Sequence, residues 1–338
     1  MCVACCPLSM VKAATRRDSA AHSQKQDDGK SCAEMCPFEN SVRNIFNAKK
    51  TSVVRVVCVV KQSPGSEMGA REVVAGTGFF VSDRAHIITV ASVVKNAQMI
   101  WVDYMGMSYA AECIGFDSQT NVAVLRLLHP PSEFGIIDVG ESNPKELAEI
   151  GSFVIFVGCK LGMDPSPDLG IISGKNISYS DNLFLTTYLR TNLMFCGGES
   201  GAPVFEFSGE LAGMMIASLP EMASSFILPR RAIAKIFAEI VVGGSAKHSR
   251  IGIEVQSECK FGIGQEIIIS KVIAESEAER AGLRIGDILK KIGVFDIKYK
   301  EDLYNGVFFC GGDDKINVTV EREGNELIFG VKPEYIIE

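Results

Sequence analysis

Short runs of β-branched and aromatic residues, separated by Gly, Asp and Asn, dominate the 338-residue chain between positions 52 and 207. Each run is six to nine residues long, which is the length of an ordinary strand. The runs are 52–60, 76–82, 86–94, 99–104, 121–127, 152–158 and 202–207. Because helical periodicity is weak across them, the pattern predicts a mostly β protein built as a barrel or a sandwich.

The clearest helical pattern follows these runs. Residues 229–241 begin with a proline and carry apolar residues at helical spacing. The residues that share this apolar face are Ile233, Ile236, Phe237 and Ile240. A Gly-Gly-Ser stretch at 243–245 predicts a linker, and residues 250–338 alternate strands with short helices near 276–281 and 300–308. This last segment is therefore predicted to be a separate small domain.

The first 40 residues differ in composition from the rest of the chain. Residues 12–37 are polar and mixed in charge, which predicts a disordered or weakly ordered arm at 1–40. Five of the eleven cysteines lie in this arm: Cys2, Cys5, Cys6, Cys32 and Cys36. Reduced thiols in a reducing compartment are the favoured interpretation, and a metal site in the arm is the alternative. The apolar start is a poor signal peptide, because no basic stretch precedes it and Pro7 interrupts it.

Charge and hydropathy argue against two classes of partner. A net charge of −7 is unfavourable for a nucleic-acid-binding protein, which usually presents a basic surface. No apolar run approaches the roughly 18 residues that a membrane helix needs, so the sequence predicts no membrane span. Spacings of Asp, Glu and His that are typical of catalytic metal sites are also missing. We therefore expect neither a metal nor a cofactor.

Residues 197–203 read Gly-Gly-Glu-Ser-Gly-Ala-Pro, which resembles a turn that presents a nucleophilic serine. In such a turn the hydroxyl of Ser200 is exposed, and the N–H groups of Gly198 and Ser200 form an oxyanion hole. Catalysis also needs a histidine that takes the serine proton and a carboxylate that orients the histidine. The chain has four histidines, and none falls where this arrangement needs one.

The order of these segments resembles the HtrA/DegP family of serine proteases over about residues 40–338. The stretches that carry the resemblance are GTGFFVS, TVASVV, DSQTNVAVLRL, GIISGKNIS, TNLMFCGGESGAP, FILPRRAIAKI, AERAGLRIGDILKKIG and VTVEREGNEL. The resemblance implies a chymotrypsin-like double β-barrel at 41–242, a linker at 243–249 and a PDZ domain at 250–338. It also implies an oligomer, a trimer in this family, and a periplasmic, other cell-envelope or organelle location.

Two catalytic positions of the family hold different residues in this chain. The position of the catalytic histidine corresponds to Ser92, and that of the triad aspartate corresponds to Asn121. The nucleophile position keeps its residue, Ser200. Three neighbouring positions also depart from the family pattern: Gly197, Glu199 and Ala202. The resemblance therefore implies a catalytically degenerate member of the family.

Other side chains could take part in catalysis, but each has a simpler interpretation. Lys95 follows Ser92 by three residues and could serve as a lysine base, although a solvated surface lysine is the simpler interpretation. We interpret His86 as a surface strand residue rather than a repositioned base. Cys196 could be an alternative nucleophile, but it also lacks a partner. Asp117 is predicted to cap a turn in the stretch Asp-Ser-Gln-Thr.

The PDZ-like segment keeps residues suited to peptide binding. Arg250, Ile251, Gly252 and Ile253 stand where the family has its carboxylate-binding loop. The resemblance implies that N–H groups there hold the C-terminus of a peptide, which adds to the adjoining strand. It also implies an apolar pocket for the last side chain, lined by Ile251, Ile253 and Val307. The alternative interpretation of residues 250–253 is a turn that only opens the domain.

Two functions from different classes follow. The first is an HtrA-like pseudoprotease that binds peptides or unfolded protein C-termini as a chaperone, scaffold or regulatory protein, alone or in oligomers with active relatives. The second is an HtrA-like serine endopeptidase that uses Ser200 with a rearranged base. A serine hydroxyl is almost fully protonated at neutral pH, and Ser92 is no stronger a base than Ser200. The sequence therefore favours the first function.

Overall fold

Two closed six-stranded barrels are followed by a smaller domain built on one sheet. The structure is a computed structural model that describes residues 37–60, 72–140, 143, 145–179, 182–260, 264–310 and 315–335. The five cysteines of the predicted N-terminal arm lie outside the described residues. The prediction of a mostly β protein with a separate small C-terminal domain is confirmed, and the strands before that domain form two barrels.

The first barrel closes in the order β1-β2-β3-β6-β5-β4. Its strands are β1 (Val53–Val60), β2 (Glu72–Phe80), β3 (His86–Val90), β4 (Ala97–Tyr104), β5 (Met107–Asp117) and β6 (Val122–Leu127). Along β1 the more buried residues alternate with less buried ones, as expected where one face of a strand lines a core. Val56, Phe79 and Ile88 are fully buried in that core.

The second barrel closes in the order β10-β11-β12-β9-β8-β7. Its strands are β7 (Phe153–Gly158), β8 (Ser166–Tyr179), β9 (Asn182–Thr191), β10 (Pro203–Glu206), β11 (Leu211–Leu219) and β12 (Ser224–Pro229). Phe156, Leu189 and Ile227 are buried in its interior. The nucleophile-like turn lies in the connection between β9 and β10, where a barrel presents loops rather than core residues.

The predicted strand at 86–94 is wrong in its second half. β3 ends at Val90, and Ala91–Val94 form a single helical turn, α2. The cause is Asn121, whose backbone carbonyl accepts the N–H of Ala91 at 3.0 Å and whose side-chain oxygen accepts the N–H of Ser92 at 2.7 Å. These two bonds supply acceptors for N–H groups at the start of the turn, as a helix N-terminus requires.

Two longer helices flank the barrels. Helix α1 (Pro37–Lys49) precedes β1, so the predicted arm boundary at residue 40 falls inside it. Helix α3 (Arg230–Gly243) confirms the amphipathic pattern: Ile233, Ile236 and Ile240 are fully buried. None of the helices in the described stretches combines the length and apolar character that crossing a bilayer requires.

The C-terminal domain is a sheet with the strand order β14-β15-β16-β18-β19, with β17 beside β16. The strands of this sheet are β14 (Ile253–Lys260), β15 (Gly264–Val272), β16 (Ile288–Ile292), β17 (Phe295–Asp296), β18 (Ile316–Arg322) and β19 (Asn325–Val331). Two further short strands, β13 (Ser249–Arg250) and β20 (Glu334–Tyr335), pair with each other in a separate two-stranded sheet. The two predicted helices are present as α4 (Glu277–Ala281) and α5 (Lys300–Cys310). Leu289 and Val318 belong to the core of this domain, whereas Phe308 of α5 belongs to the core of the barrels.

The second barrel depends on a close approach at Gly213. A Cβ at this position would lie 2.1 Å from the carbonyl oxygen of Leu228 and 2.6 Å from the Ile227 side chain. We expect Gly213→Ala to lower the free energy of unfolding by about 2 kcal/mol, because the paired strands β11 and β12 must separate. Urea unfolding followed by circular dichroism measures this. Gly243→Ala, where a Cβ meets no atom within 4 Å, is the control and should leave stability nearly unchanged; equal effects of the two variants would contradict the steric argument.

Candidate functional site

The turn at residues 196–200 is held by hydrogen bonds to every one of its carbonyl oxygens. The donors to the carbonyls of residues 196 to 200 are, in order, Glu199 N, Leu161 N, Thr77 Oγ1, Ala202 N and Thr77 N, at 2.7–3.2 Å. Within the described part of the chain, no acceptor pairs with the N–H groups of Gly198 and Ser200. The N–H group of Gly197 likewise has no acceptor there, so Gly198 and Ser200 are among the donors of the turn that remain for an external acceptor such as an oxyanion.

Two glycines make this turn possible. Gly198 has φ +94° and Gly201 has φ +88°, in the region that residues with a Cβ rarely adopt. A Cβ on Gly198 would lie 2.6 Å from the carbonyl oxygen of Cys159, and one on Gly201 would lie 2.3 Å from that of Thr77. The Gly-x-Ser-Gly spacing read from the sequence therefore follows from steric limits on both sides of Ser200.

Thr77 joins the turn to the first barrel, a role that no feature of the sequence indicates. This fully buried side chain donates to the Gly198 carbonyl at 2.7 Å and accepts from the Cys159 N–H at 3.0 Å. Its own carbonyl accepts from Thr89 Oγ1 at 2.8 Å. Thr77 thus ties residues of both barrels to one point beside Ser200.

Ser92 and Asn121, which the family resemblance places at two catalytic positions, lie together. The Asn121 side chain accepts the Ser92 N–H at 2.7 Å, and Asn121 has φ +61°, a conformation that asparagine adopts more readily than most residues. The turn that carries Ser92 packs near the nucleophile turn, because a Cβ on Gly76 would touch both Val93 and the carbonyl of Ser200. Among the described residues, however, no side chain accepts a hydrogen bond from the Ser200 hydroxyl.

The substitute bases considered from the sequence do not contact Ser200. The Lys95 ammonium donates to Ser118 Oγ at 3.1 Å. The prediction that His86 is a surface residue is wrong: it is 6% exposed, since its ring packs against Phe237 of α3 and its Nδ1 bonds to Ser82 Oγ at 2.8 Å. Burial and nearby arginines lower the pKa of His86. Cys196 is exposed, and its N–H donates to the Glu199 carboxylate.

Glu199 turns inward and is completely buried, although it directly precedes Ser200. Its Oε2 accepts the Cys196 N–H at 2.7 Å, and its Oε1 lies 3.9 Å from the ammonium of Lys160. Lys160 also forms an ion pair with Asp168, which raises the pKa of Lys160. Burial raises the pKa of Glu199, while the Cys196 N–H and Lys160 act in the opposite direction. The buried carboxyl group of the residue before Ser200 is therefore only partly compensated by its hydrogen bond and its distant lysine.

A buried His–Asp pair joins the first barrel to the linker, and sequence reasoning missed it. Asp117 accepts from the N–H groups of Gln119 and Thr120, which confirms its predicted turn cap. It also lies 2.9 Å from Nε2 of His248, and both side chains are at most 6% exposed. Burial alone would raise the pKa of Asp117, but the hydrogen bonds from His248 and Thr120 lower it overall. The two residues are 131 positions apart, so no local pattern could reveal the pair.

The candidate peptide-binding loop lies between β13 and β14. Gly252 has φ +78°, and a Cβ there would lie 2.4 Å from Cβ of Ser276. Ile251 is buried in the domain core, and Ile253 and Val307 pack partly buried against the same core. Arg250 is exposed and forms an ion pair with Glu334 at 3.3 Å. Because β14 is the last strand of its sheet, its outer edge is the position that an added strand would take.

Comparisons with known proteins agree with this architecture. A trypsin-like peptidase domain model matches residues 76–214, and a PDZ domain model matches residues 249–332. Two curated relatives, both described as probable periplasmic serine endoprotease DegP-like, come from Marinomonas sp. (strain MWYL1) and Brucella suis biovar 1 (strain 1330). They are 27% and 26% identical over 269 and 281 residues. These matches cover 76% and 78% of this chain but 56% and 52% of the relatives, so the chain spans about half their length.

Solved structures share the fold at lower identity. The HtrA-type protease AlgW with a tripeptide has a TM-score of 0.70 and 19% identity, and the match covers 88% of this chain and 98% of that one. The serine endoprotease from Yersinia pestis has a TM-score of 0.59 and 22% identity over the same shares of the two chains. At these identities the likeness concerns the fold.

The buried Glu199 predicts a pH dependence of stability. Because its pKa is raised on folding, the folded state holds the proton more tightly than the unfolded chain, so stability falls as pH rises through the folded pKa. Glu199→Gln removes this titration. Urea unfolding gives the free energy of unfolding of each protein. The value for the variant minus the value for the unmodified protein should therefore increase from about pH 4 to about pH 7. Exposed Glu149→Gln is the control; a pH-independent difference for Glu199→Gln would show that burial does not perturb this group.

Proposed function

The chain belongs to the HtrA/DegP-like family of serine proteases, and we propose that it is a pseudoprotease that binds peptides or unfolded chains without cleaving them. The observation that carries this proposal is the environment of Ser200. The turn around it is fully formed, but no base among the described residues accepts a hydrogen bond from its hydroxyl.

The chemistry of the replaced positions supports this proposal. Asn121 can hold the backbone of Ser92 in place, but a neutral amide cannot stabilise an imidazolium, and Ser92 has no imidazole to charge. Loss of triad members leaves about 10³–10⁴-fold acceleration over water, against about a million-fold more in an intact enzyme. The buried Glu199 carboxylate further opposes the build-up of negative charge at the neighbouring hole.

The C-terminal domain supports the binding part of the proposal. The outer edge of β14 can accept a peptide as an added strand, and Arg250, Ile251, Gly252 and Ile253 lead into that strand. In this proposal their N–H groups hold the terminal carboxylate, and Ile253 with Val307 contacts the last side chain. The ligands are peptides or unfolded protein C-termini with an apolar last residue.

Assembly and location extend the same proposal. The family implies a trimer, so we propose that the protein forms homo-oligomers or joins oligomers of active relatives as a chaperone, scaffold or regulatory subunit. The names of the curated relatives support a periplasmic location, whereas the cysteine content favours a reducing compartment.

The alternative is an endopeptidase that uses Ser200 with a rearranged base. One observation favours it: the N–H groups of Gly198 and Ser200 have no partner among the described residues, so an oxyanion could bind there at once. An oxyanion hole without a base is still insufficient to deprotonate serine.

Peptidase activity separates the two functions. We expect the protein neither to hydrolyse unfolded casein nor to react at Ser200 with a fluorophosphonate, because no group takes the Ser200 proton. The comparison variant is Ser92→His with Asn121→Asp, in which the new carboxylate at position 121 can still accept the backbone N–H of residue 92. This variant should gain measurable turnover. Turnover by the unmodified chain that Ser200→Ala abolishes would establish the endopeptidase instead.

Binding of a C-terminal carboxylate tests the PDZ part of the proposal. The full chain should bind an extended peptide ending in a free valine with a Kd on the order of micromolar, and amidation of that C-terminus should weaken binding about tenfold or more. Half-buried Ile253→Asp should also weaken binding, since its charge would face the carboxylate. Ile285→Asp, at a position that is 68% exposed, is the matched control. Equal affinity for acid and amide would mean that residues 250–253 form only a turn.

A further inference from the structure

Helix α5 forms one wall of the proposed peptide groove and is also part of the junction with the barrels. Val307 packs against the core of the PDZ domain, as does Ile253 of β14, whereas Asn305 bonds to β9 of the second barrel. Residues two positions apart in a helix point in nearly opposite directions. Helix α5 therefore lies between the proposed groove and the second barrel, and opposite sides of the helix face the two.

Asn305 fixes the barrel side of the helix. Its side chain is 6% exposed, and its Oδ1 accepts from Thr186 Oγ1 at 2.8 Å, from the Thr187 N–H at 3.0 Å and from Arg231 at 3.1 Å. Its Nδ2 donates to Thr187 Oγ1 at 2.8 Å. Displacing α5 relative to β9 would disturb the hydrogen bonds of several buried donors to this acceptor, which is costly away from water.

The two aromatic residues that follow strengthen this attachment. Phe308 is 6% exposed and its ring stacks on His248 with a centroid separation of 6.2 Å, while Nε2 of the same histidine bonds to Asp117 at 2.9 Å. The centre of the Phe309 ring lies 4.8 Å from the Arg231 guanidinium. The same turn of helix is thus anchored by packing, a cation–π contact and hydrogen bonds.

Helix α5 also packs closely against the sheet of the PDZ domain. A Cβ on Gly306 would lie 2.8 Å from Cβ of Ile292 in β16, so the helix touches the sheet directly at this point. Leu303 and Ile251 are buried in the same core, 6% and 3% exposed. A ligand side chain that needs more room than the groove offers must therefore displace α5 toward the barrel, where Asn305 already contacts β9 and its hydrogen bonds fit one position of the helix.

We propose that the barrel sets the width of the peptide groove through Asn305, so that the full-length protein selects peptides ending in a small aliphatic residue over peptides ending in a large aromatic one. This proposal rests on the proposed peptide-binding function of the PDZ domain. Asn305 is a positioning residue in it, since it acts on the ligand only through α5. In this proposal the preference for a small last residue depends on the contact between α5 and the barrel. The residues that line the groove do not produce it by themselves.

The test compares two peptides that differ only in a final valine or phenylalanine, each titrated into the full-length protein. The unmodified protein should bind the valine peptide at least about tenfold more tightly. Asn305→Ala should leave the valine affinity within about twofold but bring the two affinities about fivefold closer, by improving phenylalanine binding. Thr187→Val removes a hydroxyl on the barrel side and should act in the same direction without any change in the PDZ domain.

Asn325→Ala, at the exposed first residue of β19, is the control and should keep the original ratio of the two affinities. Circular dichroism and thermal unfolding verify that each variant folds. If Asn305→Ala does not fold, the comparison of the two peptides is made with Thr187→Val instead. An unchanged ratio in a folded variant that still binds the valine peptide would overturn the role of Asn305 while leaving the peptide-binding function standing. Failure of the unmodified protein to bind either peptide would overturn both.

Discussion

The contact between Thr77 and the nucleophile turn is the interaction that holds the candidate site together. One buried threonine of the first barrel binds the carbonyls of Gly198 and Ser200 and the N–H of Cys159, all in the second barrel. Each such bond contributes only about 1 kcal/mol net, but breaking one inside the protein leaves a buried polar group unpaired at greater cost. The shape of the turn is therefore enforced by the packing of the two barrels and needs no catalytic residue to maintain it.

The proposed lack of catalysis is compatible with an intact serine turn, because the shape of the turn and the chemistry of its partners depend on different groups. Asn121 accepts the Ser92 N–H through its side-chain oxygen, a bond that an aspartate could also make, but its amide carries no charge. Ser92 lies in the helical turn α2 and supplies no base there. The fold at these positions depends on hydrogen bonds, whereas the proposed lack of catalysis depends on their charge and basicity.

Helix α5 couples the two domains more tightly than a short Gly-Gly-Ser linker predicts. Phe308 belongs to the barrel core, and burial of Arg231 at the junction lowers the pKa of that guanidinium to about 10. A buried polar junction of this kind is specific, because its hydrogen bonds are satisfied in one relative position and left unpaired in others. The peptide groove and the barrel consequently share a structural element.

Local patterns in the chain were sufficient to predict a mostly β barrel or sandwich followed by a small separate domain, the helix at 229–241 and the spacing around Ser200, since strand periodicity, helix periodicity and glycine stereochemistry are local properties. Resemblance to the family added the double barrel, the PDZ domain and the correspondence of Ser92 and Asn121 to two catalytic positions. The end of β3 at Val90, the burial of Glu199 and His86, and the long-range contacts follow only from how the segments pack in three dimensions. The residues that make those contacts are Thr77, Asp117, His248 and Asn305. Burial and pairing of this kind depend on which surfaces meet, and contacts between residues 82 to 131 positions apart leave no periodic trace in the chain.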